Sequence, residues 1–293
     1  MGAMFDTDFL ARLEYLALVA KRIVRGDLRA DRITSRRGSG VEFADFRDYI
    51  PGDDFRYIDW NAYARLGQLL LKMYEEEQDL HVYFMLDTSL SMDSGEPDKL
   101  IYGKKLVAAL AYITLSNLDR AGISFFTSDL VSEIPVARGK NRILPLLDVL
   151  ENTPAATGET NLARAAEAFM HRTRRRGVVV VVSDLFDPHG FRAALDRLRF
   201  SRHQVYVIQV LAEADRDPKL LGDIELVDME SGVSKEVTVT ERALTQYREA
   251  FDTFLHDVVS YGKQFEVPIV QVFSSMDMES VVLDLFRRGG LVR

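Results

Sequence analysis

From residue 81 onward, short apolar runs alternate with longer stretches in which apolar residues recur every three or four positions. The first pattern predicts strands buried on both faces, the second amphipathic helices. Strands are predicted at 81–86, 123–127, 130–136, 178–183, 204–211 and 268–273. The run of five valines from Val178 to Val182 is the plainest of them. Helices are predicted at 99–119, 141–151, 162–174, 189–200, 241–263 and 278–287. In the first, Leu100, Leu106, Leu110, Ile113 and Leu118 share helical spacing, and Asp98 after Pro97 suits the N-cap.

Strands separated by helices predict an α/β fold, a doubly wound, mostly parallel sheet, over residues 79–293. One interruption, 223–239, reads as a hairpin: strands at 224–229 and 234–239 around Glu230-Ser231-Gly232. Residues 1–78 follow a different pattern. A helix at 8–25 leads into a Gly- and Ser-rich loop at 35–40, a Pro51-Gly52 turn and a strand-like run at 68–74. That run and the hairpin are expected to contribute to a small accessory sheet.

Composition narrows the chemistry. The 293 residues are 47% hydrophobic and 28% charged, the balance of a globular chain. There is no cysteine, which excludes disulfides, zinc-thiolate sites and cysteine nucleophiles and suits a reducing, cytoplasmic location. No apolar run nears the roughly 20 residues of a membrane helix, so no membrane insertion is expected. Asp6 and Asp8 interrupt any signal-peptide core. A net charge of −8 disfavours nucleic acid as a partner. The five histidines (His81, His171, His189, His203, His256) show no metal-ligand spacing. Neither a Gly-x-Ser-x-Gly elbow nor a phosphate-binding Gly-rich loop is present, so no ATPase site is expected in this chain.

One cluster stands out against this background. Asp87-Thr88-Ser89-Leu90-Ser91 directly follows the strand at 81–86. Ligands of open α/β sheets bind outside the carboxyl ends of the strands. A carboxylate and two hydroxyls are hard oxygen donors, suited to Mg²⁺ (or Mn²⁺ or Ca²⁺) rather than to zinc or copper. Asp184 follows the valine strand at the equivalent position. Thr160, in Gly158-Glu159-Thr160-Asn161, precedes the helix at 162. Each also has a purely structural reading, since Thr160 or Asn161 can cap that helix and Asp184 a turn. Together, Asp87, Ser89, Ser91, Thr160 and Asp184 resemble the metal-ion-dependent adhesion site of von Willebrand factor A domains. The resemblance implies a Mg²⁺ ion touched by the hydroxyls of Ser89, Ser91 and Thr160. Asp87 and Asp184 would act through water, and a partner carboxylate would complete the shell. Leu185 departs from the glycine that many extracellular members carry after the second aspartate.

A second signature lies upstream. The segment from Val41 to Trp60, followed by Asn61-Ala62-Tyr63-Ala64-Arg65, is dense in aromatics and paired charges. Read bottom-up, it is a turn, a short capped helix, an ion-pair network around Arg47, Arg56 and Arg65, and a packing role for Trp60. It also resembles the hallmark of domain of unknown function family fifty-eight, whose members join this segment to a von Willebrand A-like domain. The resemblance spans most of the chain. It implies a MoxR-type AAA+ ATPase as partner in a chaperone-like system. A further basic stretch, from Lys21 to Arg37, reads either as a docking surface or as a solvated face paired with Glu75-Glu76-Glu77.

The function expected from these readings is a Mg²⁺-dependent, non-enzymatic protein-interaction module. It would act as an adaptor or co-chaperone of such an ATPase, with a client presenting an acidic residue. A metal-dependent phosphoesterase and a metal-free scaffold are the alternatives. Against the phosphoesterase, Ser89 stands where a second aspartate would serve as acid/base, and no lysine or histidine is evidently placed to assist.

Overall fold

The computed structural model describes residues 4–27, 42–75, 79–227 and 234–287. The side chains of the basic stretch 21–37, the loop at 35–40 and the turn at 230–232 lie outside what it describes. In chain order the elements are α1 (Thr7–Asp27), β1 (Glu42–Asp48), α2 (Trp60–Leu66), β2 (Leu70–Glu75), β3 (His81–Asp87), α3 (Lys99–Ser116), β4 (Arg120–Phe126) and β5 (Leu130–Arg138). They continue with α4 (Ile143–Asn152), α5 (Leu162–Arg172), β6 (Val178–Ser183), α6 (Arg192–Phe200), β7 (Gln204–Leu211), a one-turn α7 (Glu213–Arg216), β8 (Gly222–Val227), β9 (Ser234–Val239), α8 (Glu241–Phe265), β10 (Ile269–Phe273) and α9 (Met278–Arg287). Among the described residues no helix is long and apolar enough to cross a membrane.

Six strands form one mixed sheet in the order β10-β7-β6-β3-β4-β5. All neighbours run parallel except the β4–β5 pair at one edge. The sequence expectation of a mostly parallel α/β sheet therefore holds. Its cause is visible in the alternation of side chains. Phe84, Leu86, Val178, Val180, Val182 and Ile208 point to one face, where α1, α3, α4 and α9 contribute to the same apolar cluster. Met85, Val179, Val181 and Val207 point to the other, covered from α5, α6 and α8. A strand buried on both faces favours an unbroken apolar run, which explains the valines of β6. Gly177 leads into β6 where a Cβ would lie 2.1 Å from the His81 carbonyl oxygen. The close approach of the two central strands begins at that glycine.

Two compact units divide the described residues: those up to Val24 together with those from Leu80 onward, and those between Arg25 and Asp79. The division after Asp79 lies one residue from the expected boundary at 78, but the expected N-terminal region 1–78 does not hold together: its part up to Val24 goes with the sheet unit. Phe9, Leu13, Leu16 and Ala20 of α1 recur at helical spacing and are buried in the core of the sheet unit. The helix lies N-terminal to the small unit in sequence but belongs to the large one.

The small unit is built on an antiparallel β1–β2 pair, Asp48 opposite Leu70. Asp59 caps α2 by accepting from the Asn61 and Ala62 amides and lies 3.3 Å from the Lys72 ammonium. Gly67 ends the helix in the left-handed conformation, φ 69°. Asp53 accepts from Arg47 and Asp54 from Arg56, forming the expected local ion pairs. Two expectations are corrected here. The 68–74 run and the hairpin do not share a sheet: β2 pairs with β1, and β8 pairs with β9 in a separate two-stranded ribbon. Each ribbon satisfies its inner backbone groups with its nearest antiparallel neighbour in sequence, so no shared sheet is required. Trp60 is not a buried anchor; it is 59% exposed and packs edge-on against Tyr63.

Because α1 closes one face of the large sheet, Leu13→Ala is expected to lower stability by about 2–5 kcal/mol in urea unfolding. The loss should appear in the transition of the sheet core. A loss confined to a separate, early transition would contradict the assignment of α1 to that unit.

Candidate functional site

β3 and β6 are neighbours in parallel register, Leu86 beside Val182. The next residues of each strand therefore arrive together at the carboxyl edge of the sheet. Asp87 and Asp184 are both buried there, each about 1% exposed. Asp87 Oδ1 accepts from the Ser89 amide at 2.9 Å and Oδ2 from the Ser183 hydroxyl at 2.6 Å. The Ser183 oxygen in turn accepts from the Leu185 amide. Asp184 Oδ1 accepts from the Phe186 amide, closing the turn that follows β6.

The loop after β3 folds back on itself. Thr88 bonds through both its amide and its hydroxyl to the Phe126 carbonyl at the end of β4. This leaves Ser89 buried and Ser91 half-buried, with their hydroxyl oxygens 2.9 Å apart. The loop carrying Thr160 is tied to the same edge: the Ala156 amide donates to the Thr88 carbonyl and the Asn161 amide to the Thr127 carbonyl. Asn161, not Thr160, caps α5, accepting from the Arg164 amide. Thr160 itself is buried, 3% exposed. The structure thus brings Asp87, Ser89, Ser91 and Asp184 to one strand edge and pins the Thr160 loop against it.

The electrostatics of the cluster are unbalanced. The partners of Asp87 among the described residues are neutral N–H and O–H groups. Burial, and then the charge of neighbouring Asp184, push its carboxyl up to about 7, which its hydrogen bonds only partly oppose. Among the described residues no three His, Asp or Glu side chains converge as a ready metal cage. The donors here are instead hydroxyls and two carboxylates.

Two features escaped sequence reasoning, and a third was signalled only by its departure from glycine. Lys99, the first residue of α3, is buried with its ammonium 2.9 Å from Asp184 Oδ2 and 3.0 Å from Asp215 Oδ2. It also lies 4.9 Å from the centre of the Phe186 ring. Burial alone would lower its pKa, but the two carboxylates outweigh it and raise it, so the ammonium is held charged. A lysine in the first turn of a helix opposes the macrodipole, and that was the available signal. Asp187 is the second feature. It accepts from the Leu162 and His189 amides and joins the loop after β6 to the start of α5. The third is the backbone at Leu185, which adopts φ 63°. That left-handed conformation is easy for glycine and costs a leucine about 1–2 kcal/mol. The departure from glycine is thus accommodated by strain; the 1%-exposed leucine side chain is packed into the core.

A family model described as protein of unknown function DUF58 matches residues 45–257, and the chain belongs to that family. An uncharacterized protein of Mycobacterium tuberculosis strain H37Rv, Rv1480, is 27% identical over 297 residues, covering 99% of this chain and 93% of the relative. An uncharacterized protein of Mycobacterium bovis matches to the same extent. Among solved structures, the conserved hypothetical protein BatB of Bacteroides thetaiotaomicron is similar with a TM-score of 0.45. It is 15% identical and covers 71% of this chain and 98% of that one.

The raised Asp87 pKa has a definite sign for stability. The ordinary value is 3.8, so between that pH and about 7 the folded chain holds a proton that the unfolded chain has lost. In EDTA, this group's contribution to stability falls as pH rises from about 4 to 7 and then levels off. Asp87→Asn cannot titrate and should lack that fall, so the stability difference between the two proteins should shift in favour of Asp87→Asn as pH rises from about 4 to 7. Urea titrations of both proteins across this range read the difference; parallel curves would show that Asp87 is not desolvated.

Proposed function

We propose that this member of the DUF58 family is a divalent-cation-dependent protein-interaction module whose sheet unit is von Willebrand A-like. The observation that carries the reading is Asp87: a buried carboxylate with no cationic partner among the described residues, beside a second carboxylate, with two serine hydroxyls at the same carboxyl edge. An oxygen-only donor set short of positive charge fits a hard cation such as Mg²⁺. Ser89, Ser91 and Thr160 would hold the ion directly, and Asp87 and Asp184 through water. The bound cation would supply an electrophilic position for a carboxylate of the partner.

The residues of the chain have separable tasks in this scheme. Ser183 and the Ser89 amide orient the Asp87 carboxylate. The Phe186 amide and Lys99 orient that of Asp184. Thr88 anchors the serine loop to β4, so the hydroxyls are pre-positioned rather than ordered on binding. The work is binding, not turnover. Among the described residues neither Asp87 nor Ser89 faces a base arranged as in a nucleophile–base pair, and Lys99 is committed to Asp184 and Asp215. Family resemblance supplies the partner: a MoxR-type AAA+ ATPase, with the present chain as adaptor or co-chaperone for a client bearing an acidic residue.

The direct test is binding of the tagged chain to a purified MoxR-type ATPase from the same cell, in Mg²⁺ and in EDTA. Binding is expected only in Mg²⁺, and Ser89→Ala is expected to weaken it at least about tenfold, a loss of about 1.4 kcal/mol. The circular dichroism spectrum of the variant should be unchanged. Equal binding in EDTA, or by Ser89→Ala, would refute a metal-bridged contact.

A further inference from the structure

The site already contains a cation, and it belongs to the chain. The Lys99 ammonium is 1% exposed and sits between two carboxylates, Asp184 at 2.9 Å and Asp215 at 3.0 Å. Its position is set from several directions. Asp98 caps α3 through the Ile101 amide, the Lys99 amide donates to the Ser94 carbonyl, and the Leu100 amide to the Met92 carbonyl. The base of the side chain is thus fixed to the loop that carries Ser89 and Ser91. Asp215 is held from the other side, where its Oδ2 accepts from the Ala212 amide just after β7. Lys99 therefore joins the serine loop, the β6 turn and the β7 turn, three loops of one sheet edge.

We propose that Lys99 is an internal counter-cation that competes with the divalent ion for Asp184 and so sets the cation affinity of the site, with Asp215 dividing its charge. The inference rests on the metal-binding reading above. Of the two carboxylates it touches, Asp184 and Asp215, Lys99 cancels one formal charge, so the pair presents −1 to an entering ion with Lys99 present and −2 without it. In a buried setting, where charges are weakly screened, that difference falls directly on the affinity for a cation. Lys99 also gives the free chain a way to keep Asp184 buried without metal. A buried carboxylate left with no partner is strongly destabilising. Lys99 is thus a positioning residue: it orients Asp184 and regulates what else Asp184 can bind.

Two substitutions should move affinity in opposite directions. Lys99→Met removes the competitor, and Mn²⁺ binding to the full chain, read by electron paramagnetic resonance of the free ion, should tighten at least about tenfold. The metal-free variant should melt lower, and added Mn²⁺ should raise its melting temperature more than that of the parent. Asp215→Asn leaves Lys99 undivided on Asp184 and should weaken Mn²⁺ binding. This second variant keeps the test decisive if Lys99→Met does not fold. Merely structural damage would weaken both. Opposite shifts, each abolished by adding Ser89→Ala, support the inference. Mn²⁺ affinity within twofold of the parent in both variants, yet lost on Ser89→Ala, overturns the role of Lys99 while the metal reading stands. Mn²⁺ binding that is absent throughout, or insensitive to Ser89→Ala, overturns the metal reading and this inference with it.

Discussion

β3 and β6 run side by side, parallel and covered on both faces, and the rest of the large unit follows from that pairing. Doubly covered strands carry mostly apolar residues along their length. Polar side chains therefore collect mainly where the strands end, with Gln209, fully buried in β7, a hydrogen-bonded exception. The register then does the positioning: with Leu86 beside Val182, Asp87 lies against Ser183, and Asp184 is one residue beyond. Gly177 permits this pairing by allowing β6 to start against the His81 carbonyl.

The consequence is an electrostatic problem. Two carboxylates are carried out of water together, and burial of either alone would already disfavour its charge. The fold answers it differently for each. Asp184 receives a lysine from the start of α3, shared with Asp215. Asp87 receives, among the described residues, only dipoles, from the Ser89 amide and the Ser183 hydroxyl. The site is thus compensated on one side and uncompensated on the other. A cation entering beside the serine hydroxyls would meet the uncompensated carboxylate, and Lys99 would govern how much of the second one it can claim.

The small unit obeys a more local logic. Three of its aspartates serve nearby structural needs: Asp54 and Asp59 cap helical turns, and Asp53 joins Arg47 to the Ile50 amide. The paired charges that make the segment conspicuous in sequence are absorbed largely by its own backbone. Its aromatics are another matter. Phe55, Trp60 and Tyr63 stay well exposed, so their pairing with the charges is not a matter of building a core.

Much of the fold was legible in the chain because the alternation of apolar and polar residues is a local property. The valine run, the helix spacing of α3 and α8 and the carboxyl-edge placement of Asp87 and Asp184 follow from it. Asp87, Ser89, Ser91, Thr160 and Asp184 were likewise visible as a sequence motif. What only the tertiary structure decided depends on which distant groups meet. Periodicity says that α1 is amphipathic, not that its apolar face joins the sheet 60 residues downstream. It names two strand-like runs and cannot say that β2 pairs with β1 while the hairpin pairs with itself, since pairing is chosen by hydrogen-bond geometry across loops. It could not assign capping of α5 to Asn161 over Thr160, a choice made by backbone angles. Above all it could not find Lys99. That ammonium meets a carboxylate 85 residues away, and another beyond it, only because three loops converge at one edge of the sheet.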